Sequence, residues 1–559
     1  MKLRRKLFWI SSAILVLLAI GLSSCHQLSP PGTKSATEPS QVLFEQSALA
    51  VPAYDYVELT AKVAQPRAHN SFTDATLNGW FEPVDGQKRL KVEGFCDSER
   101  GDIFRIRFMP PAPGDYRYAV EYREGANHAS FSGKFHANDG HNRGLLRIDP
   151  EHRWHFIWEG TGEHYFFNGT TAYWLMGWKD ESIIRSSIER LHAFEVNRMR
   201  VTIAGRTNVF YGEAVMNGPD WTVNVTPWLT KDASDTYHPG FDYTRFDMTY
   251  WQKFDRILRF ARDRDMVISL VFDMNDSRSH PEAASADERL FFRYAVARFS
   301  AFSNITWDLG DDLDSYRDDA WTHETGTLVE QWDPYHHLAT SHPVRNAHQD
   351  RTADWFGFTS FQEWSRNQHA FMLKERLRQR LMLHIIPQTN EEYGYEDHYP
   401  LWAEGLGSES ADTLRRSAWD IVMAGGYQTT GESARRGTNI WPNTGGGWMN
   451  GRGDDTMTML KGYAHMVDFF TSFDWWETNP DDQLVSPGQY CLAKPGEIYA
   501  VYLPHGGRTL IELKSGQYKA AWFNPLTGDW ISLPTAAGGA WNSPPSPDGN
   551  DWALLLQKT

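Results

Sequence analysis

The spacing of apolar residues changes twice along the chain, and each change marks a different kind of element. From 51 to about 140, apolar and polar residues alternate. YDYVELTAKV comes first, DIFRIRFMP puts Phe104, Ile106 and Phe108 on one face, and PAPGDYRYAVEYRE follows a Pro-Gly turn. A period of two in short runs broken by turn residues predicts a β-sandwich. Near 141 the pattern shifts. HFIWEG and HYFFNGTTAYWL read as strands, and SIIRSSIERLHAF carries Ile184, Ile188 and Leu191 at helical spacing. NRMRVTI, MVISLVFD and NITWD are further strands, separated by the helical runs TYWQKFDRILRFARDRD and ADERLFFRYAVARFSAF. HLATSHP, WFGFTSF, MLHIIPQT and DIVMAGGYQTTG continue the series. Strand alternating with helix, with polar residues where each strand stops, predicts an α/β fold, a (β/α)8 TIM barrel. A doubly wound sheet ranks lower, because no Gly-rich phosphate fingerprint follows the first strand. From about 480, EIYAVYLP, RTLIELK, YKAAWFNPLTGDWISL and DWALLLQKT return to short strands with hairpin turns, which predicts a second, smaller β-sandwich.

The N-terminus adds an address. MKLRRK is basic, LFWISSAILVLLAIGL is apolar, and Leu22-Ser23-Ser24-Cys25 resembles the lipobox of bacterial lipoproteins, in which the cysteine is lipidated and becomes the new N-terminus. Residue 26 is His rather than the Asp that favours inner-membrane retention, so the expected location is the outer membrane or surface of a Gram-negative cell. The expected organisation is therefore a signal peptide over 1–25, a Ser/Pro/Thr-rich flexible linker over 26–48, a sandwich over 49–140, the barrel over 141–479 and a sandwich over 480–559. Beyond Cys25 only Cys96 and Cys491 remain, so disulfides do not frame this fold.

Composition narrows the partners. A formal net charge of −16 over 559 residues argues against nucleic acid, whose phosphates require clustered Lys and Arg. Aromatics are 14% of residues and include 24 Trp, a surplus that suits stacking on sugar rings as well as core filling.

Catalysis on a barrel is assembled at the C-terminal ends of its strands. Those ends supply Asn168, Thr170 and Trp174, then Arg198 and Arg200, then Asp273 and Asn275, then Asp311 and Asp312. His342, Phe361 to Trp364, Glu391 with Glu392, and Glu432 complete the ring. No Ser-His-Asp order or nucleophile elbow competes. Two facing carboxylates are what glycosidic cleavage needs, about 5–5.5 Å apart for retention and about 6.5–9.5 Å for inversion. Strands four and seven face each other across the mouth, so Asp312 and Glu392 form the natural pair. Neighbours on a strand point to opposite faces, so only one of Glu391 and Glu392 is expected to face the lumen, and Glu392 is favoured. The acids Asp308, Asp311, Asp312 and Asp314 could alternatively hold calcium, but the EF-hand ligand order is absent, and neither metal nor cofactor is expected. Arg198 and Arg200 are either paired with barrel carboxylates or, for Arg200, in reach of substrate. Trp174 is either core or a sugar platform, Glu432 either a substrate contact or a hydrogen-bonded loop acid, and Glu396 a structural residue of the loop after Glu392.

These residues carry a resemblance. NITWDLGDDL resembles the fourth-strand motif of clan A glycoside hydrolases and looks closest to the apiosidase-like barrels, in which the closing residue is Asp. IIPQTNEEYGYE is similar to that family's seventh strand, and DPYHHLATSHP to its fifth. The resemblance implies Asp312 as acid/base, Glu392 as nucleophile and His342 as a sugar contact. It implies a retaining glycoside hydrolase acting on a plant or algal polysaccharide or oligosaccharide; a non-catalytic glycan-binding lipoprotein is the alternative. Residues 485–559 resemble a module named for collagen binding that accompanies sugar-active barrels. Asp311 departs from the pattern, since clan A enzymes have Asn there to hold a sugar hydroxyl.

Overall fold

The computed structural model describes residues 41–559 apart from 87, 205–219, 223–224, 236–238, 275–279, 345–348, 397–407, 433–446 and 455–456. Cys25 and Asn275 lie outside the described residues.

The N-terminal alternation becomes two antiparallel-dominated sheets laid face to face. One runs in the order Val42–Gln46, Val57–Val63, Ile103–Phe108, Phe95–Cys96. The other runs Ala50–Pro52, Asn127–Asn138, Gly114–Glu124, Ala75–Pro83, Leu90–Glu93. Every second residue of Gly114–Glu124 from Tyr116 onward is buried, and Phe81 of one sheet stacks on Phe108 of the other at 4.4 Å. One boundary needs correction. Val42–Gln46, inside the stretch expected to be flexible linker, pairs along its whole length with Val57–Val63. Its VLFEQ alternates as a strand should, and Phe44 stacks on Phe131 at 5.4 Å.

The expected barrel is present. Parallel strands neighbour one another in the order Ala339–Thr340, Ile305–Asp308, Val267–Val271, Arg198–Thr202, Asn168–Thr171, Tyr427–Thr430, Thr389–Asn390. Residues 356–361 close the ring through bridges from Phe356 to Ala339 and from Phe361 to Asn390. In chain order these are the first strand (Asn168–Thr171) through the eighth (Tyr427–Thr430), with 356–361 the sixth. All are buried, because helices cover the outside and side chains fill the inside. The helices start where capping residues dictate. Asp180, Asp247, Ser285, Asp318 and Ser410 each accept a backbone N–H of the first turn of Glu181–Ala193, Met248–Arg262, Ala286–Phe299, Asp319–Trp332 and Ala411–Met423. A small antiparallel sheet, Leu146–Ile148, Phe156–Trp158 and His164–Tyr165, packs beneath the strand starts. Phe156 there meets Phe167, Phe358 and Tyr427.

The C-terminal strands join one six-stranded ladder in the order Asn479–Pro480, Tyr490–Lys494, Ile498–Leu503, Trp552–Lys558, Leu510–Phe523, Trp530–Asn542. Register breaks after Leu513 and Tyr518 interrupt its longest pairing. Tyr499, Leu513, Tyr518, Trp522 and Leu554 share a core of their own, while Tyr502 stacks on Trp419 of the barrel at 5.1 Å. Cys96 and Cys491 are both buried and free.

Candidate active site

The acid-rich end of the fourth strand is shaped by competition between two neighbours. Asp311 N–H donates to Asp273 O on the third-strand side at 3.0 Å, and Leu313 N–H donates to His342 O on the fifth-strand side at 2.9 Å. The residue between must redirect the backbone. Asp312 does so with φ 51°, in the left-handed region that Asp and Asn tolerate best among residues with a Cβ. Its carbonyl then caps a short turn, accepting from Ser315 N at 3.0 Å and Ser315 Oγ at 2.6 Å.

The acids of this stretch are not held alike. Asp308 and Asp311 both accept from Arg200 Nη2 at 2.9 Å, and Asp311 also accepts from the Tyr173 hydroxyl at 3.1 Å. Asp314 accepts Val344 N–H at 2.6 Å and pins the fifth-strand loop. Asp312 stays partly exposed at the rim, whereas Asp311 is buried. Burial, reinforced by Glu391 and Asp311, outweighs Arg200 and pushes the Asp308 carboxyl up to about 6. Burial likewise raises Asp311 despite Arg200 and His342, and Glu392 adds to the rise.

At the seventh strand the expectation that one glutamate turns away fails. Both point inward, because the strand stops at Asn390 and strict alternation stops with it. Glu392 N–H turns to the Asn390 side chain at 3.4 Å. Glu391 lies deeper. It is ion-paired with Arg198, accepts Ser360 Oγ–H at 2.6 Å and lies 3.6 Å from Arg200 Nε. Burial opposes its ionisation, but Arg198 and Arg200 prevail and hold its carboxyl below the usual range. Glu392 sits nearer the mouth, 3.2 Å from His342 Nε2, and hydrogen-bonds the Tyr395 hydroxyl. Asp311, His342 and Glu392 bring one ligand-type atom each within 4.8 Å of one another. The charges of Asp311, Glu392 and Asp312 all act on the Tyr173 hydroxyl, so acids from the fourth and seventh strands share one neighbourhood. His342 is fully buried, and burial with Arg200 pushes its imidazole down to about 3.

Other expected positions behave differently. Asn168 opens the first strand instead of closing it, at the opposite end of the barrel. Its amide is spent on Glu195 O at 2.8 Å and Gln428 at 2.5 Å. Trp174 is buried, packed edge-on against Tyr173 and Trp448, and so belongs to the core and not to an open sugar platform. Arg200 is fully enclosed by Tyr173, Asp308 and Asp311, which makes it a positioning group instead of a sugar contact. Glu432 is held by both terminal nitrogens of Arg190, the structural alternative. Asp273 accepts its own loop's Met274 N–H at 2.8 Å and lends its carbonyl to Asp311. Glu396 accepts Thr458 and Met459 N–H groups at the start of helix Met459–Phe470. Tyr173, Ser360 and Tyr395 were not singled out from the sequence. Tyr173 and Ser360 each adjoin a residue that was, and nothing local marks a tyrosine or serine as facing a carboxylate.

Residues 157–433 match the family model described as the apiosidase-like catalytic domain. The barrel is an apiosidase-like domain. Residues 50–123 match a domain of unknown function, and 480–557 match a model named for the collagen-binding domain of a collagenase. The apiosidase-like domain and its flanks superpose on a structure designated a glycoside hydrolase from Bacteroides vulgatus, with TM-score 0.75 and 19% identity over 91% of this chain and 100% of that one. A second Bacteroides vulgatus structure, a family 5 glycoside hydrolase, gives TM-score 0.58 and 17% identity over 74% of this chain and 93% of that one. At these identities the likeness establishes the fold. No curated protein matches the sequence.

Proposed function

We propose that this protein is a retaining glycoside hydrolase of plant or algal polysaccharides or oligosaccharides. The observation that carries the proposal is the meeting of Asp311, His342 and Glu392, one atom of each within 4.8 Å of the others, at the C-terminal mouth of the apiosidase-like barrel, where Asp312 follows Asp311 in the chain. Glu392 attacks the anomeric carbon as the carboxylate. Asp312, partly exposed at the rim, gives its proton to the leaving oxygen and then removes one from the water that releases the sugar. Asp311, Asp273 and His342 border the sugar site. The mature protein would be held at the outer membrane by a lipid on Cys25.

A glycan panel tests the activity, and NMR of the first-formed anomer tests retention. Glu392→Gln and Asp312→Asn should each abolish turnover while keeping the fold, and Asn retains the tolerance for left-handed backbone that position 312 needs. Near-full activity in either variant overturns the assignment. Glycan binding without turnover by the unaltered protein would favour a capture protein. Cys25→Ala should move the protein from the membrane fraction to the soluble fraction.

A further inference from the structure

At the end of the barrel opposite the mouth, the small sheet beneath the strand starts carries a second group of metal-type ligands. Asp149 directly follows Leu146–Ile148, His152 lies in the turn after it, and His164 opens the third strand, His164–Tyr165. Asp149, His152 and His164 bring one ligand-type atom each within 4.8 Å of one another. Asp149 Oδ2 lies 3.1 Å from His152 Nδ1 and 2.7 Å from His164 Nε2. Its other oxygen, Oδ1, accepts the Glu151 N–H at 2.8 Å, which turns Oδ2 toward both rings. The His164 ring is itself fixed by stacking on Trp476 at 4.0 Å. Asp149 is buried and His164 nearly so, whereas the His152 side chain is 33% exposed and leaves a way in from solvent.

We propose that Asp149, His152 and His164 form a Zn2+-type site on the barrel floor, with water in the fourth position on the His152 side. Two ring nitrogens and one carboxylate oxygen suit Zn2+ and its transition-metal neighbours, whereas Ca2+ and Mg2+ take oxygen ligands. A tetrahedral Zn2+ with bonds of about 2.0–2.2 Å spaces its ligand atoms about 3.4 Å apart. The two ring-to-carboxylate distances need to widen by less than about 1 Å to admit it. Without the metal, the carboxylate oxygen only accepts, so each ring carries its hydrogen on the nitrogen that faces it. On binding, each neutral ring keeps that one hydrogen, which passes through solvent to its other nitrogen, and no proton is lost. The Glu151 N–H and Trp476 hold the ligands in place before the metal arrives, as the groups behind metal ligands do elsewhere. The ion would tie the first strand of the small sheet to its third, under the barrel core that Phe156 of the middle strand packs against. This site is independent of the hydrolase reading.

The test is a metal titration that needs no substrate. Chelator-treated full-length protein titrated with Co2+ should develop visible d–d absorption that saturates at one equivalent, and Zn2+ should abolish that absorption by displacement. His152→Gln and His164→Gln should each weaken binding at least about 100-fold. The exposed position of His152 makes its variant the one that retains the fold. The trio Asp311, His342 and Glu392 at the mouth has a similar ligand set, so His342→Gln serves as the control and should leave the titration unchanged. Zn2+ at a hundredfold excess over its Kd should raise the melting temperature by about 2–3 °C in the unaltered protein and in His342→Gln, and leave His152→Gln unmoved. No uptake by the unaltered protein, uptake that survives both His152→Gln and His164→Gln, or uptake lost with His342→Gln overturns the proposal.

Discussion

Two buried charge clusters in this molecule are built from the same residue types and behave in opposite ways. Where the N-terminal sandwich meets the barrel helices, Arg105, Arg107 and Arg298 face Glu58, Asp97 and Asp255. Inside the barrel, Arg198 and Arg200 face Asp308, Asp311 and Glu391, with Glu392 and Asp312 beyond them. At the seam every acid has an arginine. Burial alone would raise Asp255, yet Arg107 and Arg298 together hold it down at about 2. In the lumen the acids outnumber the guanidiniums, so burial wins at Asp308 and Asp311. Matched charges make a rivet, whereas a surplus of acid in a closed space retains protons, and acid–base chemistry requires retained protons.

That contrast can be broken at either end. The largest effect expected is on activity: Glu392→Gln should lower kcat by at least about 10³-fold with an unchanged melting curve. Next, Asp255→Ala leaves two arginines buried without their shared partner and should cost about 3–5 kcal/mol in urea denaturation, with activity per folded molecule retained. The pH dependence of stability should separate the clusters. Asp255 has a folded value below its ordinary 3.8, so its contribution is present above pH 4 and is lost as pH falls toward 2. Asp308 has a folded value above 3.8, so its contribution is present below pH 4 and is lost as pH rises to about 6, on the order of 2–3 kcal/mol in all. Asp308→Asn should flatten the second slope and leave the first, as read from denaturation midpoints between pH 3 and 7. The smallest effect belongs to the exposed pair Arg289–Glu324, where Glu324→Ala should change stability by less than about 0.5 kcal/mol.

Much of the architecture was legible from periodicity, and for a definite reason. A strand buried on one face must alternate, as Tyr116, Tyr118, Val120 and Tyr122 do, and a helix packed on a barrel must place Ile184, Ile188 and Leu191 on one side. Errors arose where an element ended. HYFFNGTTAYWL reads as one strand, but the chain turns after Tyr165 and pairs afresh from Asn168, which moves that residue to the wrong end of the barrel. Alternation at Glu391 and Glu392 failed because the strand had already stopped at Asn390.

The sequence by itself determined the barrel with β-rich flanks and the acids at the ends of its fourth and seventh strands, since these follow from local spacing. Only the tertiary structure decided which partner each acid meets. Arg190 reaches Glu432, Arg198 reaches Glu391, and Tyr173 and Arg200 reach Asp311 across separations no local pattern reports. Protonation depends on burial and on the charge of whatever lies within a few ångströms, and both exist only once the chain has folded.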